Sequence, residues 1–244
     1  PLFWEAPDLN RKSIDEKLTK LHDTDIVLLP EMFTSGFTMN PNTVAESMDG
    51  TTIKWMKSWA YKLDAAVGGS IVIEEDGAYL NRFVWVTPSG KLSFYDKHHT
   101  FTLAGEDQVY QRGNDDGIII FKGWKICLRI CYDLRFAEIH ARLVDLGAQI
   151  IVNGAAFTKT TGQAHWHTLL RARAIETQCY ILAASHGGQH DHRQTFGHSM
   201  IIDPWGEILV ELGEGPGIAV ARVNLDHLQE IRAAFPLQSQ RRLT

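Results

Sequence analysis

The stretch Trp124–Cys131, WKICLRIC, with the YDLRF (Tyr132–Phe136) and AEIHARLVDLGA (Ala137–Ala148) that follow it, decides the fold. Ile126, Leu128 and Ile130 alternate with more polar positions, the period of a half-buried strand. Beyond YDLRF the apolar residues recur at helical spacing. Cys131 therefore falls at a strand-to-helix turn, held out of both ladders. There the unpaired N–H groups and dipole of a helix start are expected to favour a thiolate. Position alone leaves two readings open: a nucleophile elbow built on sulfur, or a small core hydrophobe, as free cysteines usually are.

Working outward, strand-like and helix-like segments alternate. Asp25–Pro30, Ala66–Ile73, Arg82–Thr87, Lys91–Tyr95 and Gly117–Phe121 read as strands, as do Gln149–Asn153, Tyr180–Ser185, Ser199–Asp203, Glu207–Glu211 and Ile218–Val223. Trp55–Leu63 and a longer segment from about His165 to Gln178 have helical spacing. Pro88–Gly90 and Lys122–Trp124 mark hairpin turns. With no repeat, low-complexity tract or Gly/Ser-rich linker, residues 1–244 read as one α/β domain of two packed sheets with helices outside.

Composition narrows the class. The chain is 44% hydrophobic and carries a net charge of −5, which suits a soluble globular protein and argues against non-specific nucleic-acid binding. No apolar run approaches the roughly 20 residues that span a bilayer, so no membrane association is expected. Three cysteines at irregular spacing argue against a disulfide framework and fit a reducing, cytoplasmic setting.

Several polar residues stand at strand ends. Glu31 directly follows DIVLLP, where α/β proteins place catalytic groups, although a carboxylate after an apolar run usually meets solvent. A general base there needs partial burial, which Met32 and Phe33 could supply. Lys97 in YDKHH is either a solvated loop lysine or a cation at a site rim. Glu106 in LAGEDQVY is weak when taken singly.

Together, Glu31 in LLPEMF, Lys97 in YDKHH, Glu106 in AGEDQ and Cys131 in ICYDLRF resemble the nitrilase superfamily of carbon–nitrogen hydrolases. The resemblance runs from about Phe3 to the C-terminus and includes HWHTLLRARAIETQCY and GHSMIIDPWGEIL. It implies an α-β-β-α sandwich and a Glu-Lys-Cys triad supported by a second glutamate. It also implies a cysteine-dependent amidase acting through a thioester on a small-molecule amide, with no metal and no organic cofactor. Cys131 would be the nucleophile, Glu31 the general base and acid, and Lys97 with the Tyr132 backbone N–H the oxyanion holder. Glu106 would position Lys97 or the substrate amine.

Tyr132–Phe136 resembles Nit-type amidases acting on amides of short dicarboxylic keto acids, whereas true nitrilases carry Trp-Glu after the nucleophile. Arg135 would then pair with a substrate carboxylate or, equally, with a nearby structural acid. The front of the chain resembles omega-amidases that hydrolyse alpha-ketoglutaramate. The rear, with Phe157 and Thr158 in AAFT as substrate contacts, resembles deaminated-glutathione amidases. A recombined chain and an intermediate natural branch both account for this division. The resemblance also implies a homodimer or higher homo-oligomer, with Ala137–Leu146 and the helix from His165 at the contact. A carbamoylase or other amidase on the same triad, or a non-catalytic scaffold, remains an alternative.

The chain departs from the family pattern in three places. The family's first strand would precede PLFWEAPDLNR, Ala137 replaces a proline, and His98-His99-Thr100 replaces His-Leu. His186, His190, His192 and His198 cluster in SHGGQHDHRQTFGH, which reads as a surface loop instead of a metal site. His165 and His167 flank Trp166 at a helix start, where packing or capping is expected. Arg173 and Glu176 are spaced for a local pair. Cys127 and Cys179 read as core.

Overall fold

The structure is a computed structural model that describes residues 2–190 and 193–242. A four-stranded sheet has the order β1-β2-β3-β4, and a six-stranded sheet the order β12-β11-β8-β7-β6-β5. The first holds β1 (Ile26–Leu28), β2 (Ala66–Glu75), β3 (Ala78–Val86) and β4 (Leu92–Asp96). The second holds β5 (Ile118–Phe121), β6 (Trp124–Ile130), β7 (Ile150–Ala155), β8 (Tyr180–Ser185), β11 (Met200–Ile202) and β12 (Ile208–Glu211). A separate hairpin pairs β9 (Gly187–His190) with β10 (Arg193–Phe196). The helices are α1 (Pro7–Leu18), α2 (Thr51–Leu63), α3 (Glu106–Val109), α4 (Ala137–Asp145), α5 (Lys159–Thr161), α6 (His167–Thr177) and α7 (Leu225–Ala234).

Connections follow the turn chemistry. Asp76 and Gly77 both take positive φ (52° and 78°), and so turn β2 tightly into the long antiparallel β3. Parallel pairs need crossovers. α2 lies between β1 and β2, α4 between β6 and β7, and α6 between β7 and β8, and each of these strand pairs is parallel.

Apolar residues from both faces of each sheet give the layers. Phe83, Trp85 and Tyr95 of the first sheet meet Ile126, Leu128, Ile130, Val152 and Tyr180 of the second. Each such buried side chain contributes on the order of 1.5–3 kcal/mol. On the outer face of the first sheet, Ile53, Met56, Trp59 and Ala60 of α2 pack with Val67, Ile71 and Val84. On the outer face of the second, Leu143 of α4 and Leu170 and Ala174 of α6 pack with Cys127, Ile151, Cys179 and Ile181. This is the expected α-β-β-α sandwich.

Three local readings need correction. Ile218–Val223 alternates as a strand does but has no ladder partner among the described residues. It borders a cavity of about 860 Å³ whose lining also includes β1. A side-chain pattern reports faces, and a strand also needs a hydrogen-bonded neighbour. The histidine-rich segment read as a loop contains the β9–β10 hairpin, and His192 lies outside the described residues. The turn after β6 is a 3₁₀ helix over Cys131–Arg135, with α4 starting only at Ala137. Cys131 is thus not at the head of a long helix.

Candidate active site

Glu31 and Lys97 leave the first sheet just after β1 and β4, and Cys131 leaves the second just after β6. Cys131 has φ 42° and Met32, next to Glu31, has φ 44°. Both are sparsely populated values for residues with a side chain. Each turn is held from several sides. The Met32 N–H donates to Ser70 Oγ (2.8 Å) and Phe33 N–H to the Ser70 carbonyl (3.1 Å). His186 Nε2 donates to the Glu31 carbonyl (2.6 Å). Beneath this turn Gly69 leaves no room for a side chain, since a Cβ would lie 2.8 Å from Leu29 Cβ.

The cysteine turn is held by Asp133, which is fully buried. Its carboxylate accepts from Tyr95 Oη (2.8 Å), Ile130 N–H (3.1 Å), and both the backbone N–H and ring Nδ1 of His99 (2.9 and 3.0 Å). Burial pushes its pKa up, but the His99 bond, the Arg129 charge and the Tyr95 bond outweigh that and hold it below the usual carboxylate range. His99 stacks on Phe136 at 3.7 Å. The departure at His98-His99 therefore supplies the partner that ties the lysine segment to the cysteine turn. The Cys131 N–H donates to Asn153 Oδ1 (3.2 Å).

The structure brings the four expected polar residues together. Lys97 Nζ donates to Glu31 Oε1 (2.7 Å) and to Glu106 Oε1 and Oε2 (3.0 and 2.8 Å). All three side chains are essentially inaccessible to solvent. Asn81, which the sequence reading missed, donates through Nδ2 to both Glu31 Oε1 (2.9 Å) and Glu106 Oε1 (3.0 Å). Glu106 Oε2 also accepts the Phe101 N–H (2.6 Å). A buried asparagine inside the apolar strand YLNRFVWV was the available signal.

The electrostatics fix where protons sit. Burial lowers the Lys97 pKa, but Glu106, Glu31 and the neighbouring cysteine outweigh it, so the ammonium stays charged. Burial raises Glu31 above the ordinary carboxylate range, against the pull of Lys97. The Cys131 thiol is pushed well above its usual value, first by burial and then by Glu31, with Lys97 opposing. This corrects the expectation of a favoured thiolate. With burial and Glu31 both raising its pKa, the resting cysteine is a thiol. Glu31 Oε2 has no hydrogen-bond partner, and Cys131 interacts directly with the Glu31 side chain.

Glu31, Lys97 and Cys131 open into a cavity of about 310 Å³. Tyr132, Arg135, Phe157 and Thr158 line it, together with Phe37, Arg193 and Thr195. Arg135 is not free, because its Nη1 lies 3.1 Å from His165 Nδ1 and its guanidinium sits 5.0 Å from the Phe157 ring. Arg193, on β10, is a second guanidinium in this wall and donates to the Phe37 carbonyl (3.2 Å). Nothing in its own segment marked it, because only the β9–β10 hairpin carries it to the cavity. Arg173 pairs with Glu176 as expected (2.7 Å), and Cys127 and Cys179 are buried.

The sandwich and its strand-end cluster together define a nitrilase-superfamily architecture. The chain belongs to the carbon–nitrogen hydrolase family, whose sequence model matches residues 9–233. It is therefore an enzyme of the carbon–nitrogen hydrolase type. It is 35% identical over 240 residues to the omega-amidase YafV of Yersinia enterocolitica, covering 97% of this chain and 91% of that protein. It is 50% identical to the deaminated glutathione amidase of Bos taurus over 119 residues, 48% of this chain and 36% of that one. The structure matches XC1258 of Xanthomonas campestris, a CN-hydrolase superfamily protein solved with an arsenic adduct in its active site. That match has TM-score 0.95 at 33% identity and covers 100% of this chain and 94% of the other.

Proposed function

We propose that the protein hydrolyses the terminal amide of a small carboxylic acid, with Cys131 as nucleophile. The observation that carries this reading is the buried Lys97 gripped by Glu31 and Glu106 at the edge of the cavity that Cys131 enters. Glu31 takes the thiol proton as sulfur attacks the amide carbonyl carbon. Lys97 and the Tyr132 N–H, in the first turn of a short helix, hold the oxyanion. Lys97 has three protons, one on Glu31 and two on Glu106. Protonation of Glu31 weakens its grip and frees one of them for the oxyanion.

Glu31 then gives its proton to the departing nitrogen, and ammonia leaves a thioester on Cys131. Water, deprotonated by Glu31, attacks the thioester, and the proton returns to sulfur as the acid departs. Glu106 and Asn81 keep Lys97 and Glu31 in register throughout. The chemistry calls on no metal or organic cofactor.

Two guanidiniums in the wall, Arg135 and Arg193, favour a substrate whose far end is a carboxylate. The omega-amidase and deaminated glutathione amidase relatives support the same class. A cavity near the lower end of the usual ligand-site range favours the smaller substrate, alpha-ketoglutaramate, over deaminated glutathione. The test is ammonia release from a panel containing both amides and their neutral analogues, with Cys131→Ala as control. Release that persists in that variant removes Cys131 from the chemistry.

The same reading extends to setting and assembly. Three unpaired cysteines suit a reducing cytoplasm, and no helix among the described residues is long and apolar enough to cross a membrane. Exposed Leu146 beyond α4, Ile175 on α6, and Trp205 and Phe235 nearby support association of two copies through the α4–α6 face.

A further inference from the structure

We propose that His167, His198 and Glu211 form a binding site for a borderline-soft divalent cation such as zinc, separate from the catalytic cluster. The three residues come from different elements. His167 opens α6, His198 lies between β10 and β11, and Glu211 ends β12. His167 Nε2 and His198 Nδ1 converge on the same oxygen, Glu211 Oε1, at 2.8 and 2.6 Å. The three ligand atoms lie within 4.8 Å of one another. Two imidazoles and a carboxylate are a donor set that suits zinc.

The ligands are held in place before any ion arrives. The ring of Phe196 stacks on His198 at 4.1 Å and meets His167 edge-on at 5.9 Å. Trp166 Nε1 donates to the His198 carbonyl (2.8 Å), and the His198 N–H donates to the Gly213 carbonyl (3.1 Å). The side chains are 35%, 22% and 29% exposed, which leaves one side open for water to complete a tetrahedron.

Bonds of about 2.0–2.1 Å place tetrahedral ligands roughly 3.3 Å apart, so an ion would lengthen the present 2.8 and 2.6 Å contacts to Glu211 by about 0.5–0.7 Å. An ion would take the inward-facing nitrogens, His167 Nε2 and His198 Nδ1, in place of their present contacts with Glu211 Oε1. The cation would clamp α6 and β12 to the end of β10, the strand that carries Arg193 and Thr195 into the cavity wall. Its effect is thus on the stability and shape of that wall.

Calorimetric titration of zinc into chelator-treated protein, with Cys131 capped by iodoacetamide so that its thiol cannot compete, tests the site. One equivalent should bind at micromolar or tighter concentration and raise Tm, since a ligand that binds only the folded state stabilises it. His167→Gln and Glu211→Gln should each weaken binding at least 30-fold. Cobalt substituted for zinc should show a visible spectrum that either change abolishes. No saturable binding, or binding that survives either substitution, overturns the proposal.

Discussion

His99 donates twice to Asp133, from its backbone N–H at 2.9 Å and its ring at 3.0 Å. This ties the segment that carries Lys97 to the turn that carries Cys131. Hydrogen bonds to a charged group contribute about 1.5–3 kcal/mol each. His99→Ala should therefore cost several degrees of Tm and lower kcat more than it raises KM. Unchanged kcat by steady-state ammonia assay would mean that the tie is not needed for alignment.

Asp133 also sets an acid limit. Its folded pKa is depressed, so its stabilisation is full above the unfolded value near 4 and is lost as pH falls through the folded one. Asp133→Asn should flatten the acid limb of the stability–pH curve below about pH 4, measured by urea unfolding at a series of pH values.

Lys97→Met should abolish turnover and should also destabilise the fold. A rim lysine could be removed cheaply, but this one is buried between two carboxylates. Stripping the cation from such a cluster costs about 3–5 kcal/mol. The deficit should shrink as pH falls and the acids take up protons. A variant as stable as the parent at pH 8 would contradict the buried-cluster reading.

Iodoacetamide should label Cys131 in preference to Cys127, whose thiol burial pushes up to about 12, and to the inaccessible Cys179. Since the resting Cys131 is a thiol, labelling should depend on Glu31 as proton acceptor. Glu31→Gln should slow it about tenfold or more. In the parent, both labelling and kcat/KM should fall as pH drops through the raised Glu31 pKa. Equal labelling of all three cysteines in folded protein would remove Cys131 from the nucleophile role.

Arg135→Leu and Arg193→Leu should each lower kcat/KM for carboxylate-bearing amides by roughly 10- to 100-fold while leaving neutral analogues nearly unchanged. Equal losses on both substrate types would show that the guanidiniums act through packing.

Much of this was legible in the chain because strand ends announce themselves. Glu31, Lys97 and Cys131 each stand just past the end of a strand, and that junction is visible in one dimension. Asn81, Asp133, His186 and Arg193 were harder, because their roles depend on which neighbour folding delivers. Asn81 meets Glu31 and the Glu106 that opens α3, His186 acts across the sheet interface, and Arg193 only through a hairpin. His186 and His198 share one segment yet face different partners for the same reason. His198 meets His167, 31 positions earlier, while His186 meets the Glu31 backbone.

The two sheets divide the reactive groups between them. The acid and the cation follow strands of the first sheet, and the sulfur follows a strand of the second. Catalysis is thus a gauge of how well the halves are docked. A slip of a fraction of an ångström between Tyr95 or Trp85 and Ile130 would separate base from nucleophile while both sheets stayed intact. On warming, ammonia release should fade before the circular-dichroism signal does, and substitutions far from the cavity but within the inter-sheet layer should look like catalytic defects.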